Sequence, residues 1–137
     1  MISERGHEVG NHSLTHEPWL HLYPKARILE ELTETHDAIT RVAGEEPRGF
    51  RGPGFSWSED LLDVLLELGY TYDASTLPTF IGPIARMYYF WTASLDKEER
   101  DQRRKLFGTI AAGFRPVRPY TWALAGGREL LELPVTT

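Results

Sequence analysis

The stretch GHEVGNHSLTH, from Gly6 to His16, is the part of the chain that says most about its fold. Its first half, Glu8 to Asn11, is typical of a short strand, and the glycine, asparagine and serine around its end favour a turn. His12 and His16 therefore lie where a strand ends and a loop begins, and two imidazoles at this spacing can share one metal ion. A histidine pair on an ordinary surface loop has the same spacing, so the pair alone leaves both interpretations open.

The composition describes an ordinary globular domain. Of the 137 residues, 41% are hydrophobic and 26% are charged, which is enough apolar material for one core. The net charge of -5 argues against a nucleic-acid-binding surface, and no apolar run is long enough to cross a membrane. Because the chain has no cysteine, a metal ion could be bound only by histidine, carboxylate or water. None of these properties indicates a cellular compartment.

Two helices are predicted after the histidine stretch. Apolar residues recur at helical spacing from Pro24 to Ala43, and Gly44 suits the C-terminal stop. The second helix is predicted to begin near Ser58 and to end at Gly69, with its leucines facing inward and either Ser56 or Ser58 as its cap. The helical spacing of the first helix is carried by six apolar residues: Ile28, Leu29, Leu32, Ile39, Val42 and Ala43.

Extended segments are predicted on both sides of the second helix, at residues 48–51 and 70–73. The order strand, helix, strand, helix, strand predicts a parallel sheet with right-handed crossovers, so that the strand ends meet at one edge. His12, Arg51 and Asp73 end or follow these strands. We therefore expect all three at the edge where α/β proteins carry their functional sites.

The second half of the chain has a different pattern. Residues 79–120 combine an aromatic run with a charged segment and several glycines and prolines, which predicts an insertion containing one charged helix. Residues 130–135 follow it and are predicted to form a fourth strand.

Two blocks of residues resemble motifs of the polysaccharide deacetylase family, the NodB-homology domain of the carbohydrate esterases that remove acetyl groups from sugars. His12 to His16 is similar to the metal-binding motif H-[ST]-x-x-H, and GFRGPGFS, Gly49 to Ser56, is similar to the R-x-P motif after the next strand. The long helix between the blocks stands where the family requires one. The resemblance implies an α/β fold, a partial and distorted (β/α) barrel, in which residues 1–137 form a single incomplete domain with an insertion at about residues 79–120.

The resemblance also implies roles for individual residues. His12 and His16 would be metal ligands, with zinc as the expected ion, completed in the family by an aspartate from an earlier strand. Such an ion would activate water for attack on the acetyl carbonyl. Arg51 would pair with the catalytic-base aspartate, whereas an arginine that only braces a loop is the alternative.

Other residues of the two blocks have weaker assignments. Pro53, Gly54 and Phe55 would form one wall of the substrate groove, or only a tight turn. Asp73 would be a catalytic supporting carboxylate, although the tryptophan that the family has downstream is missing, and a turn-forming aspartate is the alternative. Three tryptophans could stack on sugar rings or form local core: Trp57, Trp91 and Trp122.

Two family motifs have no counterpart in this chain. The first, T-F-D-D, supplies the base and a metal-ligand aspartate, and the last, L-x-H, supplies the general-acid histidine. We therefore expect a fragment, inactive alone, of a metal-dependent hydrolase that removes acetyl groups from N-acetylated or O-acetylated sugars of a polysaccharide. Two alternatives stay open: a hydrolase of a non-sugar linear amide in the same superfamily, and a non-catalytic binding or assembly module.

Overall fold

The computed structural model describes residues 5–78 and 115–136. Within these ranges two helices pack against each other, α1 at Lys25–Ala43 and α2 at Glu59–Glu67. Four strands form one sheet in the order β1-β2-β4-β3. Their bounds are β1 Gly49–Phe50, β2 Tyr72–Asp73, β3 Tyr120–Ala123 and β4 Glu129–Glu132. The predicted charged helix and Trp91 lie outside the described residues.

Both helices begin and end where the sequence predicts. Helix α1 starts directly after Pro24 and stops at Gly44, which has a left-handed φ of 82° that glycine adopts without a steric penalty. Helix α2 is capped by Ser58, whose hydroxyl accepts the backbone N–H of Leu61 at 3.2 Å. Near the end of α1, Val42 is 68% exposed, so the buried face of the helix does not extend to it.

The sheet places three strand ends at one level. Strand β1 pairs in parallel with β2, and β2 pairs in parallel with β4, so that Phe50, Asp73 and Glu132 are neighbours in register. The predicted first strand, residues 8–11, is reduced to one parallel bridge between Asn11 and Phe50. The predicted α/β class is therefore confirmed, and the pairing is parallel from β1 through β2 to β4.

Strand β3 corrects the predicted boundaries of the second half. It runs antiparallel to β4 and is joined to it by residues 124–128, where Gly126 and Gly127 both have positive φ. Tyr120 therefore begins a strand and is not part of the predicted insertion, and the last strand spans Glu129–Glu132 instead of the predicted residues 130–135. A four-residue strand that depends on cross-strand pairing with β4 gives little periodicity to detect.

The core lies between the two helices and the sheet. Its fully buried aliphatic residues include leucines from both helices, and Phe50 and Tyr70 meet edge to face across it, with ring centroids 6.4 Å apart. The buried hydrophobic cluster contains Leu20, Ile28, Leu32, Phe50, Leu61, Leu62, Val64, Leu65, Tyr70, Trp122 and Leu130. This core fixes α1 against the strand ends that carry the histidines.

Candidate metal centre

The edge of the sheet brings three of the predicted site residues together. His12 directly follows the bridge residue Asn11, and Arg51 directly follows β1. The two segments are joined by hydrogen bonds from Asn11 N–H to the Gly49 carbonyl at 2.9 Å and from Arg51 N–H to the Asn11 carbonyl at 3.0 Å. His12 and Arg51 are both exposed there, so the edge is open to ligands.

The two histidines of the pair face each other. The rings of His12 and His16 have centroids 4.8 Å apart with an interplanar angle of 70°. His12 Nδ1 lies 2.6 Å from the backbone oxygen of Arg51. Because a carbonyl oxygen can only accept, Nδ1 carries the proton and donates it. The Nε2 atom of His12 therefore keeps the free electron pair that a metal ligand needs.

The donor set fits two positions of a divalent-metal site. Imidazole nitrogens bind zinc at about 2.0–2.1 Å, which puts the centroids of two rings on one ion roughly 5 Å apart. The observed separation of 4.8 Å agrees with this value. No group of three histidines or carboxylates that could hold a metal occurs within residues 5–78 and 115–136. The described part of the chain thus offers two candidate metal ligands, His12 and His16, and no third beside them.

Short hydrogen bonds hold the loop between the histidines in shape. Ser13 N–H donates to Asn11 Oδ1 at 2.8 Å, and His16 N–H donates to Ser13 Oγ at 3.0 Å. Ser13 and His16 have φ values of 64° and 58°, in the left-handed region that side chains other than glycine rarely adopt. These bonds compensate for the strain and turn the His16 ring back toward His12.

Asn11 anchors this loop to the core. It is only 1% exposed, and its side-chain amide donates to the Tyr70 hydroxyl at 2.8 Å and to the Leu32 carbonyl at 3.4 Å. Burial raises the pKa of Tyr70 to about 12, so the hydroxyl stays protonated near neutral pH. The asparagine thus connects the histidine loop with α1 and with the residues before β2.

Arg51 has its guanidinium group in solvent. It forms no ion pair with any residue in the described ranges, while its backbone is committed to Asn11 and His12. Arg51 directly follows β1, and its exposed guanidinium is available to bind a carboxylate through two parallel hydrogen bonds.

The Pro-Gly turn after Arg51 is only partly accessible. Pro53, Gly54 and Phe55 form a single 3-10 turn, in which Pro53 is buried, Phe55 is half-buried and Gly54 is exposed with a φ of 66°. A side chain on Gly54 would approach Pro18 Cβ to 3.2 Å. Of the three residues predicted to bind substrate, Gly54 and part of Phe55 therefore reach the surface.

Asp73 lies beneath the edge and has no exposed surface. It accepts a hydrogen bond from Ser75 Oγ, and that oxygen in turn accepts the Gly52 N–H at 2.7 Å. Burial, together with the adjacent carboxylate of Glu132, raises the pKa of Asp73 well above its ordinary value. The position of Asp73 suits support of the turn after Arg51 better than contact with a substrate.

Two of the tryptophans belong to a local cluster beyond this site. Trp57 and Trp122 have ring centroids 4.3 Å apart, and the guanidinium carbon of Arg115 lies 4.5 Å and 4.1 Å from their centroids. Trp122 also donates its indole N–H to Glu132 Oε2 at 2.9 Å. These contacts favour the local-core interpretation for both tryptophans.

The sequence analysis missed three residues that shape the histidine loop, namely Asn11, Thr15 and Glu31. Glu31 Oε1 accepts both the backbone N–H of Thr15 at 3.2 Å and its hydroxyl at 2.9 Å. A signal was present, because Glu31 follows Ile28 by three positions and therefore lies on the inward stripe of α1. A charged residue on such a stripe needs a partner, and here the partner is the histidine loop.

A mainly parallel sheet with helices packed against it, and with a histidine pair and an exposed arginine at the strand ends, defines an α/β protein. The family model for polysaccharide deacetylase matches residues 1–72, more than half of the chain, so the chain belongs to the polysaccharide deacetylase family. The expected family is thus confirmed.

Two curated relatives match the chain over part of its length. A peptidoglycan deacetylase of Helicobacter pylori is 31% identical over 83 residues, which cover 61% of this chain and 28% of the relative. The uncharacterized protein YlxY of Bacillus subtilis is 35% identical over 66 residues, or 48% of this chain and 20% of the relative. The chain therefore spans between a fifth and a third of the length of these relatives.

Solved structures support the same fold. A Mycobacterium smegmatis structure, provisionally assigned as a polysaccharide deacetylase, superposes with a TM-score of 0.64 at 24% identity over 98% of this chain and 34% of its own. A mutant of a CE4-family pseudoenzyme with restored enzymatic activity gives a TM-score of 0.50 at 26% identity, over 53% of this chain and 26% of its own.

Among the helices that the structure describes, none has the length and apolar character needed to cross a membrane.

Proposed function

We propose that this chain is part of one catalytic domain of a metal-dependent deacetylase that acts on N-acetylated or O-acetylated sugars of a polysaccharide. The observation that supports this most is the state of His12: its Nδ1 is bound to the Arg51 carbonyl, and its ring lies 4.8 Å from that of His16. The matching relative from Helicobacter pylori is a peptidoglycan deacetylase, which favours a cell-wall polysaccharide as substrate.

Each residue of the edge has a separate task in this proposal. His12 and His16 hold a divalent ion, most simply zinc, through their ring nitrogens. When bound, such an ion polarises the acetyl carbonyl and makes water a better nucleophile near neutral pH. Arg51 binds and orients the carboxylate that takes the proton from the attacking water. The base, the third ligand and the general acid are expected from family motifs that have no counterpart in residues 1–137.

The Pro-Gly turn and Asp73 act around this centre. Gly54 and the exposed part of Phe55 form one wall of the substrate groove, and the buried Pro53 fixes the shape of the turn. Asp73 supports the turn from below through Ser75 and does not touch the substrate. A catalytic carboxylate would need access to the reacting atoms, and Asp73 has no exposed surface.

Loss of the two histidines tests the metal site. We expect His12→Ala and His16→Ala each to lower the affinity for Zn²⁺ at least tenfold, measured by calorimetric titration, because half of the described donor set is removed. His7→Ala is the matched control, since His7 is exposed in the same N-terminal segment and is not one of the two paired histidines. Equal zinc affinity in all three variants and the wild type would refute the metal centre.

A non-catalytic binding module is the second candidate, because one of the similar structures is described as a pseudoenzyme whose activity was restored by mutation. The two candidates differ in the product formed. The longer protein that contains this chain should release acetate from N-acetylglucosamine oligomers, and His12→Ala should abolish the release. Binding of the oligomers without any acetate, in wild type supplied with Zn²⁺, would favour the module. Acetate from simple linear amides alone would instead favour the non-sugar hydrolase.

A further inference from the structure

Glu31 is a carboxylate in an unusual place. It lies on the buried face of α1 and is only 2% exposed. No lysine or arginine of the described ranges forms an ion pair with it. A buried charge without such a partner is costly unless hydrogen bonds stabilise it, and a leucine would pack here at less cost. The position therefore calls for a role other than core packing.

Both hydrogen bonds that the Glu31 carboxylate accepts within the described ranges come from one residue. Oε1 binds the backbone N–H and the hydroxyl of Thr15, at 3.2 Å and 2.9 Å, across 16 positions of sequence. Thr15 immediately precedes His16, so the carboxylate holds the residue next to the second histidine. Helix α1 is thereby attached to the loop at a point that Asn11 and Ser13 do not reach.

The loop needs this attachment because its backbone is strained. His16 has a φ of 58°, a conformation that residues other than glycine rarely adopt and that persists only where the surrounding structure holds it. Ser13 Oγ holds the N–H of His16 from one side, and Glu31 holds Thr15 from the other. If Thr15 were released, the loop could relax toward an extended φ and carry the His16 ring away from His12.

We propose that Glu31 is a positioning residue that, through Thr15, preorganises His12 and His16 for a divalent cation. This inference rests on the proposed metal centre and adds a residue that does not itself touch the cation. Preorganisation lowers the cost of binding, so its loss weakens metal affinity while the fold remains. A purely structural role predicts the opposite pattern, a loss of folding stability with unchanged metal affinity.

The test compares zinc affinity with folding stability in two variants. Thr15→Val removes the hydroxyl at an exposed position, and Glu31→Leu replaces the buried charge with an apolar side chain suited to the helix face. We expect each to weaken Zn²⁺ binding about tenfold, as partners of metal ligands commonly do, with no loss in the urea unfolding midpoint. The double variant should bind no more weakly than Glu31→Leu alone, because Glu31→Leu already removes both hydrogen bonds to Thr15.

Two controls complete the design. Thr15→Ser keeps the hydroxyl and should bind Zn²⁺ as the wild type does. Thr35→Val removes a hydroxyl one turn further along the same face of α1, where it donates only to the Glu31 carbonyl at 3.0 Å, and it too should leave zinc affinity unchanged.

The outcomes separate this inference from the proposed function. If His12→Ala loses zinc while Thr15→Val and Glu31→Leu bind it as tightly as the wild type, the role of Glu31 is refuted and the metal centre stands. If His12→Ala itself binds zinc normally, the metal centre fails, and the role of Glu31 fails with it.

Discussion

At the scale of single residues, the site depends on which atoms are already committed to the protein. His12 uses Nδ1 for the Arg51 carbonyl, and Arg51 uses its backbone for Asn11 and His12. What remains exposed is the Nε2 atom of one residue and the guanidinium group of the other. The proposed chemistry uses these two groups, because the hydrogen bonds made by the other atoms of His12 and Arg51 leave both groups available.

Asp73 should make folding stability depend on pH. In the unfolded chain it ionises near its ordinary pKa of 3.8, whereas burial and Glu132 raise its pKa in the folded chain. The unfolded state therefore loses this proton first. The contribution of Asp73 to stability is greatest below about pH 4 and falls as the pH rises toward its folded pKa.

Asp73→Asn should remove this dependence, because asparagine cannot ionise. We expect the urea unfolding midpoint of the variant to fall less than that of the wild type between pH 4 and pH 8. Asp37→Asn, an exposed change on α1, is the control and should follow the wild-type curve. Parallel curves for Asp73→Asn and the wild type would contradict the raised pKa.

At the scale of elements, the helices place the site more than the strands do. Strands β1 and β2 have two residues each, and their ends are fixed by the packing of α1 and α2 behind them. Helix α1 also supplies Glu31 and the Leu32 carbonyl to the histidine loop. A helix that moved or frayed would therefore disturb the loop as well as the core.

The N-terminus of α2 offers a direct test at this scale. Ser58→Ala should lower the free energy of unfolding by about 1 kcal/mol, because the hydroxyl that accepts the Leu61 N–H is lost. Ser58→Asp keeps an acceptor at the cap and should retain most of the stability. Both are measured by urea denaturation, and an Ser58→Ala variant as stable as the wild type would show that the cap contributes nothing.

At the scale of the whole molecule, the described residues contain only part of the proposed metal centre, namely its two histidines. The chain covers 28% of the peptidoglycan deacetylase and 34% of the Mycobacterium smegmatis structure, so most of either protein has no counterpart here. We expect purified residues 1–137 to release no acetate from N-acetylglucosamine oligomers above the level of their His12→Ala variant. An acetate assay with added Zn²⁺ checks this, and clear release by the wild-type chain would show that it contains a complete catalytic set.

Much of the fold could be predicted from local patterns. The bounds of α1 and α2 follow from apolar spacing, a capping serine and a terminal glycine, all of which act within a few residues. Strand β3 could not be predicted, because its stability comes from pairing with β4 rather than from its own residues.

The sequence by itself determined the family, the helices and the pairing of His12 with His16, because motif spacing and helical periodicity are local properties of the chain. Only the tertiary structure decided that Asp73 is buried against Glu132, that the Arg51 carbonyl sets the tautomer of His12, and that Glu31 holds the loop through Thr15. Those contacts join residues 16 to 59 positions apart, and burial and hydrogen bonding at such separations depend on how the elements pack.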